Sequence, residues 1–224
     1  MPLGSEVMNW PILSGIPLEE LQEVLGTARK RRFRANEVIF HEGDPADCLH
    51  LMVKGKAAVS MTSPYGSDVT FVLLKPGDVF GEHSLLNPGS VRNATVTAIE
   101  PTETLSVSHS TFNHLRSKHP GVAWVLAKLL AEQLKRTNSR LVEALFVPVD
   151  VRVMRRLVEL AETYGDGNSA VIPLTQEGLA NLAGSTRATV NRVLRREENR
   201  GSLRLDRSRI TILDRASLAR RAAS

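Results

Sequence analysis

"LTQEGLANLAGSTRATVNRVLRREENRG", residues 174–201, decides how the C-terminal third folds. Apolar residues recur at helical spacing on both sides of a glycine: Leu179, Ala180 and Leu182 before Gly184, then Val190, Val193 and Leu194 after it. Thr175 can cap the first helix and Ser185 the second, each offering a hydroxyl to amides that have no partner at a helix start. The opposite face of the second helix carries Arg187, Thr189, Asn191 and Arg192. These side chains donate to guanine edges, touch thymine methyls or bind phosphate. Two β-rich runs follow, LRL at 203–205 and RITIL at 209–213. The order predicts a winged helix-turn-helix rather than a generic helix pair. Its candidate DNA contacts are Thr175, Gln176, Ser185, Thr186, Arg187, Thr189, Asn191 and Arg192.

Charge agrees with that placement. Residues 148–224 hold 14 arginines, no lysine and nine acids, whereas residues 1–147 are neutral overall. A neutral front and an arginine-rich tail predict a separate module that meets a polyanion, double-stranded DNA. The single cysteine, Cys48, excludes disulfide frameworks, structural zinc sites built on cysteine and cysteine-ligated iron–sulfur clusters. No nucleophile–base constellation, metal-ligand cluster or nucleotide-hydrolysis loop is legible, so neither catalysis nor a metal site is expected. Neither a signal-peptide pattern nor an uncharged apolar run near ~18 residues occurs, and a cytoplasmic protein without membrane association is expected.

Upstream, residues 18–28 read as a short amphipathic helix with Leu18, Leu21, Val24 and Leu25 on one face. The basic run 29–34 reads as a solvated connector. From Phe33 to Val107 the texture is short β-branched runs (38–40, 49–53, 57–61, 69–74, 79–80, 94–99, 103–107) separated by Gly, Pro, Asn and Asp turns. That spacing predicts an antiparallel sandwich or barrel. Gly121 to Phe146 then contains no proline, and Val122, Leu126, Leu130, Leu134, Leu141 and Leu145 share a helical stripe on which Thr137 also falls. A helix of this length with a polar-interrupted stripe predicts a dimer coiled coil, the alternative being one long core helix. Pro148 marks a hinge, and Asp150 is expected to cap the next helix, running to Tyr164.

"FGEHSLLNPGSVRNATV", residues 80–96, places Gly81-Glu82 ahead of a turn and a lone Arg92 after it. Arg92 either pairs with Glu82 or faces, together with it, a ligand bearing a phosphate and a hydroxyl.

Several pieces now fall in a recognisable order: EGDPAD (42–47), Gly55, Gly77, FGE (80–82), Arg92-Asn93-Ala94, KRTN (135–138) and LTQEGLANLAGSTRATVNRVL (174–194). Over residues 9–221 the chain resembles the family of cyclic-AMP receptor proteins and fumarate–nitrate regulators, most nearly its actinobacterial cyclic-AMP receptors. The resemblance implies an α+β fold: an N-terminal antiparallel, jelly-roll-like β-roll that binds cyclic nucleotide (9–120), a long dimerisation helix with its hinge (121–147) and a winged helix-turn-helix (148–224). Residues 1–8 read as a tag remnant and start. It further implies cyclic AMP as effector, with Arg92 on the phosphate, Glu82 on the ribose 2′-hydroxyl, and the amides of Gly81 and Asn93 facing the nucleotide. Thr137, and Asn138 from a partner subunit, would bond the adenine. His83 and Ser84 complete the candidate pocket. His83 stands where the family usually has leucine, which leaves a haem-based gas sensor as an alternative; a ligand-independent DNA-binding protein is another. A homodimer acting on a palindromic operator and on RNA polymerase is expected. Among the implied base-reading residues, Ala188 replaces the family's glutamate.

Overall fold

A computed structural model describes residues 10–13, 16–62, 68–82, 89–165 and 167–223. The chain divides into two compact units, Met1–Lys135 and Arg136–Ser224.

Among the described residues the first unit is built on eight strands: β1 (Arg29–Phe33), β2 (Val38–Phe40), β3 (Cys48–Lys54), β4 (Ala57–Thr62), β5 (Asp68–Leu74), β6 (Val79–Phe80), β7 (Thr95–Ala98) and β8 (Thr102–Ser108). They pair antiparallel in two four-stranded sheets, ordered β1-β8-β3-β6 and β2-β7-β4-β5. In β7, Val96 and Ala98 are buried while Thr95 and Thr97 are partly exposed, the period-two pattern of a half-buried strand. Met52 and Phe80 from one sheet meet Ala57, Leu74 and Val96 from the other in a shared apolar layer. A second core lies on the far side of β3 and β8. There α1 (Leu18–Thr27), α2 (His109–Lys118) and the start of α3 (Pro120–Phe146) bury Leu21, Leu25, Phe112, Leu115, Val122 and Leu126 against Leu49, Leu51, Leu105 and Val107. Trp10 joins this core, and its indole N–H donates to the Met52 carbonyl at 3.0 Å.

The basic run is not a connector. Arg29–Phe33 is an edge strand whose Lys30 and Arg32 both pair with Glu103 on β8, at 2.5 and 2.9 Å. Cationic side chains on a sheet edge also discourage edge-to-edge association. Helix α2 lies outside the elements expected from the sequence, although Ser108 caps it by accepting from the Thr111 amide at 3.1 Å.

In the second unit, α4 (Val149–Tyr164), α5 (Gln176–Ala183), α6 (Arg187–Asn199) and α7 (Arg215–Ala222) surround a small antiparallel sheet ordered β10-β11-β9. Its strands are β9 (Ala170–Ile172), β10 (Leu203–Asp206) and β11 (Arg209–Ile212), and β9 is a third strand that the predicted wing lacked. Leu157, Ile172, Leu179, Val190, Leu194, Leu203, Ile212 and Leu218 are all essentially inaccessible and form the core. Asp150 does not cap α4. Pro148 holds the cap position with no side-chain bond, and Asp150, one residue inside the helix, pairs with Arg196 at 3.2 Å. That ion pair is the first cause holding the Asp150 carboxyl below its usual range.

The expected apolar stripe of α3 splits by environment. Val122 and Leu126 are buried in the first unit's core, and Leu130 packs partly against it. Leu134, Leu141 and Leu145 are 57–67% exposed, as is Trp124 at 75%. The exposed face is therefore rotated from the predicted one and reads as heptads: Trp124, Ala131, Asn138 and Leu145 on one row, Ala127, Leu134 and Leu141 on the next.

Candidate functional site

Arg92 is delivered to its position by the backbone. Its amide donates to the Asp44 carbonyl, and its own carbonyl accepts from Gly43, both at 2.8 Å. The EGDPAD loop is thus zipped to residues 90–92, with Pro45 bridging Val91 and the Ala46 amide donating to the Ser90 carbonyl. This register turns the Arg92 side chain inward, where it is 5% exposed.

What surrounds the guanidinium is thin for a buried cation. Nη1 donates to the Gly81 carbonyl and Nη2 to Cys48 Sγ, both at 3.4 Å. The nearest carboxylate oxygen, on highly exposed Asp47, lies 3.7 Å away. The Phe40 ring sits beneath the guanidinium carbon at 4.2 Å, a cation–π contact. The buried Nε has no hydrogen-bond partner among the described residues. Burying a charge with so little compensation is unfavourable unless an anion completes the shell. Gly81 makes the approach possible, because it sits at φ 79° and an added Cβ would lie 2.6 Å from Arg92 Nη1.

Glu82 follows, half-buried; Asn93 is exposed beside Arg92. His83 and Ser84 lie outside the described residues, and with them the haem alternative. Thr137 and Asn138 are exposed on α3 in the second unit.

Phe40, Asp47, Cys48 and His50 also gather at Arg92, and none of them was a sequence candidate. His50 is 3% exposed and stacked on Phe80 with ring centroids 5.0 Å apart. Its Nδ1 lies 3.1 Å from the Thr104 hydroxyl. Burial first, and then the positive charge of Arg92, lower its pKa to about 4, so the ring is neutral near pH 7. Its one sequence signal is a polar residue inside the apolar run LHLMV.

In the second unit the helix-turn-helix is closed by local chemistry. Thr175 caps α5 by accepting from the Gly178 amide at 3.0 Å. Gly184 ends α5 in the left-handed region at φ 58°, ψ 52°. The cap of α6 is Thr186, not Ser185: its hydroxyl accepts from the Thr189 amide at 3.3 Å. Ser185 instead belongs to the turn, its amide donating to the Ala180 carbonyl at 3.0 Å. Arg187, Ala188, Arg192 and Arg195 are exposed along one side of α6, with Thr189 and Asn191 half-buried beside them. Gln176 meets this row by accepting from Asn191 at 2.7 Å. All eight predicted contact residues therefore lie at the start of α5, in the turn or on α6.

Buried ion pairs fix the frame behind the reading face. Glu197 of α6 is fully buried and is held by Arg200 at 2.8 Å and by Arg221 of α7. Glu198 accepts from the Leu205 amide at 2.9 Å, which ties α6 to the wing and draws its carboxyl below the usual range. Arg152 donates to the Ala144 carbonyl at 2.8 Å and to the Gly184 carbonyl at 3.1 Å, joining the end of α3 to the turn.

A family model for the cyclic nucleotide-binding domain matches residues 30–119, and one for the Crp-like helix-turn-helix domain matches residues 151–221. The chain is 32% identical over 194 residues to the CRP-like cAMP-activated global transcriptional regulator of Mycobacterium tuberculosis, covering 85% of this chain and 86% of that one. It is 33% identical over 208 residues to the cyclic AMP receptor protein of Thermus thermophilus, covering 93% and 94%. A solved transcriptional regulator of the CRP/FNR family from Thermus thermophilus superimposes with a TM-score of 0.75 at 25% identity, covering 88% of this chain and 99% of that one.

Proposed function

The chain belongs to the CRP/FNR family of transcription regulators, and on that premise we propose that its effector is cyclic AMP and its target a palindromic operator bound by a homodimer. The chain is a ligand-responsive DNA-binding regulator with a cyclic-nucleotide-binding domain, and it is not an enzyme.

The observation that carries the ligand reading is the buried, under-partnered Arg92. A cyclic phosphodiester brings one negative charge with oxygens to accept from the guanidinium, each charge-assisted bond contributing ~1.5–3 kcal/mol. Glu82 accepts the ribose hydroxyl, and the amides of Gly81 and Asn93 face the nucleotide. Thr137, with Asn138 of a second subunit, supplies the base contacts. The relatives named for cyclic AMP support this choice of nucleotide. Calorimetric titration with cyclic AMP and cyclic GMP tests it: saturable binding of cyclic AMP, tighter than cyclic GMP, is expected. Preference for cyclic GMP, or no heat with either, would refute the assignment.

The exposed heptad face of α3 supports the homodimer, with Asn138 as the polar position that fixes register. Leu134→Glu is expected to yield monomers in sedimentation and to weaken operator binding in parallel. In the dimer, ligand shifts a pre-existing equilibrium toward the arrangement that sets two reading helices one duplex turn apart, ~34 Å. The functional division follows residues 9–120, 121–147 and 148–224, the protein acts in the cytoplasm, and RNA polymerase is the further partner. Among the described residues no helix is long and apolar enough to cross a membrane.

A further inference from the structure

Asn191 is an unexpected residue for the second turn of a helix. Asparagine is a poor helix former because its amide competes for nearby backbone groups. Here the amide is engaged elsewhere: Asn191 Nδ2 donates to Gln176 Oε1, at the first residue of α5, at 2.7 Å. Both side chains are half-buried at the surface of the second unit.

A carboxamide has one carbonyl acceptor and two N–H donors. Gln176 takes one donor. The carbonyl and the N–H on its own side form a planar donor–acceptor edge, which stays whole when Gln176 takes the other N–H. In the major groove that edge complements adenine, whose N6 donates and whose N7 accepts. Guanine offers two acceptors there, and neither pyrimidine offers both a donor and an acceptor.

The neighbours leave the edge accessible. Ala188 and Arg187 lie one helical turn before Asn191, and Arg195 one turn after, all exposed. Ala188 has only a methyl group, too short to cover the carboxamide. The flanking arginines bring positive charge without competing for the same base pattern, since their fork suits guanine or phosphate.

We propose that Asn191, oriented by Gln176, reads one adenine in each half-site through its paired carbonyl and N–H. This deepens the DNA reading above and rests on α6 being the helix that enters the major groove. Asn191 is the base-contacting residue, and Gln176 is a positioning residue acting through it.

The test uses the full chain with saturating cyclic AMP and operators selected from a library randomised at each half-site position. Native protein is expected to prefer adenine at one position by roughly 5- to 150-fold over other bases. Replacing that adenine with 7-deazaadenine, which lacks only the N7 acceptor, should weaken native binding severalfold. Asn191→Ala should be indifferent to both changes there while keeping its preferences at guanine positions. Gln176→Ala should narrow the adenine preference, and Gln176→Glu, which keeps the acceptor, should restore it even if overall affinity falls. Insensitivity of native protein to 7-deazaadenine at every half-site adenine would overturn the assignment, as would an Asn191→Ala variant that weakens all sequences equally, the signature of a phosphate contact. A Gln176→Ala variant as selective as native would remove Gln176 from it. Native protein with no sequence preference at all would instead refute α6 as the reading helix.

Discussion

Arg92 in the first unit and Arg156 in the second are buried alike, each 5% exposed, but one is fully paired and the other is not. Arg156 pairs with Glu143 and, at 2.8 Å, with Glu159. Arg92 has one carboxylate at 3.7 Å, a thiol, a carbonyl, a ring face and an Nε without a partner among the described residues. A buried arginine with two carboxylates is a structural fixture. One whose partners are weak is kept for an anion that arrives. Burial alone does not tell the two apart; the partners do.

The largest expected effect breaks the paired side. Arg156→Ala empties the space of a buried side chain and takes one of two arginines from Glu143, and it is expected to destabilise the second unit by ~2–5 kcal/mol in denaturant unfolding. Cyclic-AMP affinity should change far less than this. A variant with native stability would mean that the Glu143 cluster is incidental.

The next effect sharpens the unpaired side through His50. In the folded chain its pKa is lowered to about 4 from an ordinary value of 6.5, so the unfolded chain binds more protons between those limits. Stability is therefore full above ~6.5 and falls as pH drops toward ~4, by an amount on the order of 3 kcal/mol. Because Arg92 is the second cause of the shift, Arg92→Gln should raise the His50 pKa, and bound cyclic phosphate should raise it too. Histidine NMR titration reads both. A His50 that titrates at 6.5 in native protein would contradict its burial first, and then the positive charge beside it.

The smallest effect concerns arginines that are exposed altogether. Arg204, Arg207 and Arg209 on the wing are open to solvent, and among the described residues Arg204 pairs only with Asp206, at 3.4 Å. Losing any one should weaken every DNA sequence alike and reduce the salt slope by about one unit. A change of base preference would mark that residue as a reader instead.

The β-roll strands were legible because Gly, Pro and Asp turns punctuate them, and the helix-turn-helix because Thr175 and Gly184 punctuate it. The cationic strand Arg29–Phe33 was not, since its pairing depends on Glu103 of a distant strand. Helix α7 was not legible either, although Asp214 caps it through the Ser217 amide at 3.0 Å. In α3 the spacing identified an apolar stripe, but not that its first turns face a core and its later ones solvent. Arg92 and Gly81 could be named from sequence. The lining from Phe40, Asp47, Cys48 and His50 could not, because sheet register brings those residues together. The misplaced caps, by one residue at Ser185 and by two at Asp150, arise because backbone geometry sets each helix start, and a nearby hydroxyl or carboxyl group does not mark it reliably.

The most direct test of the unpaired-arginine claim is Arg92→Gln, measured for cyclic-AMP affinity by calorimetry and for ligand-free thermal stability in the same preparation. At least ~100-fold weaker binding is expected, equivalent to two missing charge-assisted bonds, with a melting temperature equal to or above that of native protein. Unchanged affinity, or a ligand-free melting temperature lowered as that of Arg156→Ala is expected to be, would show that Arg92 serves the fold and not the nucleotide.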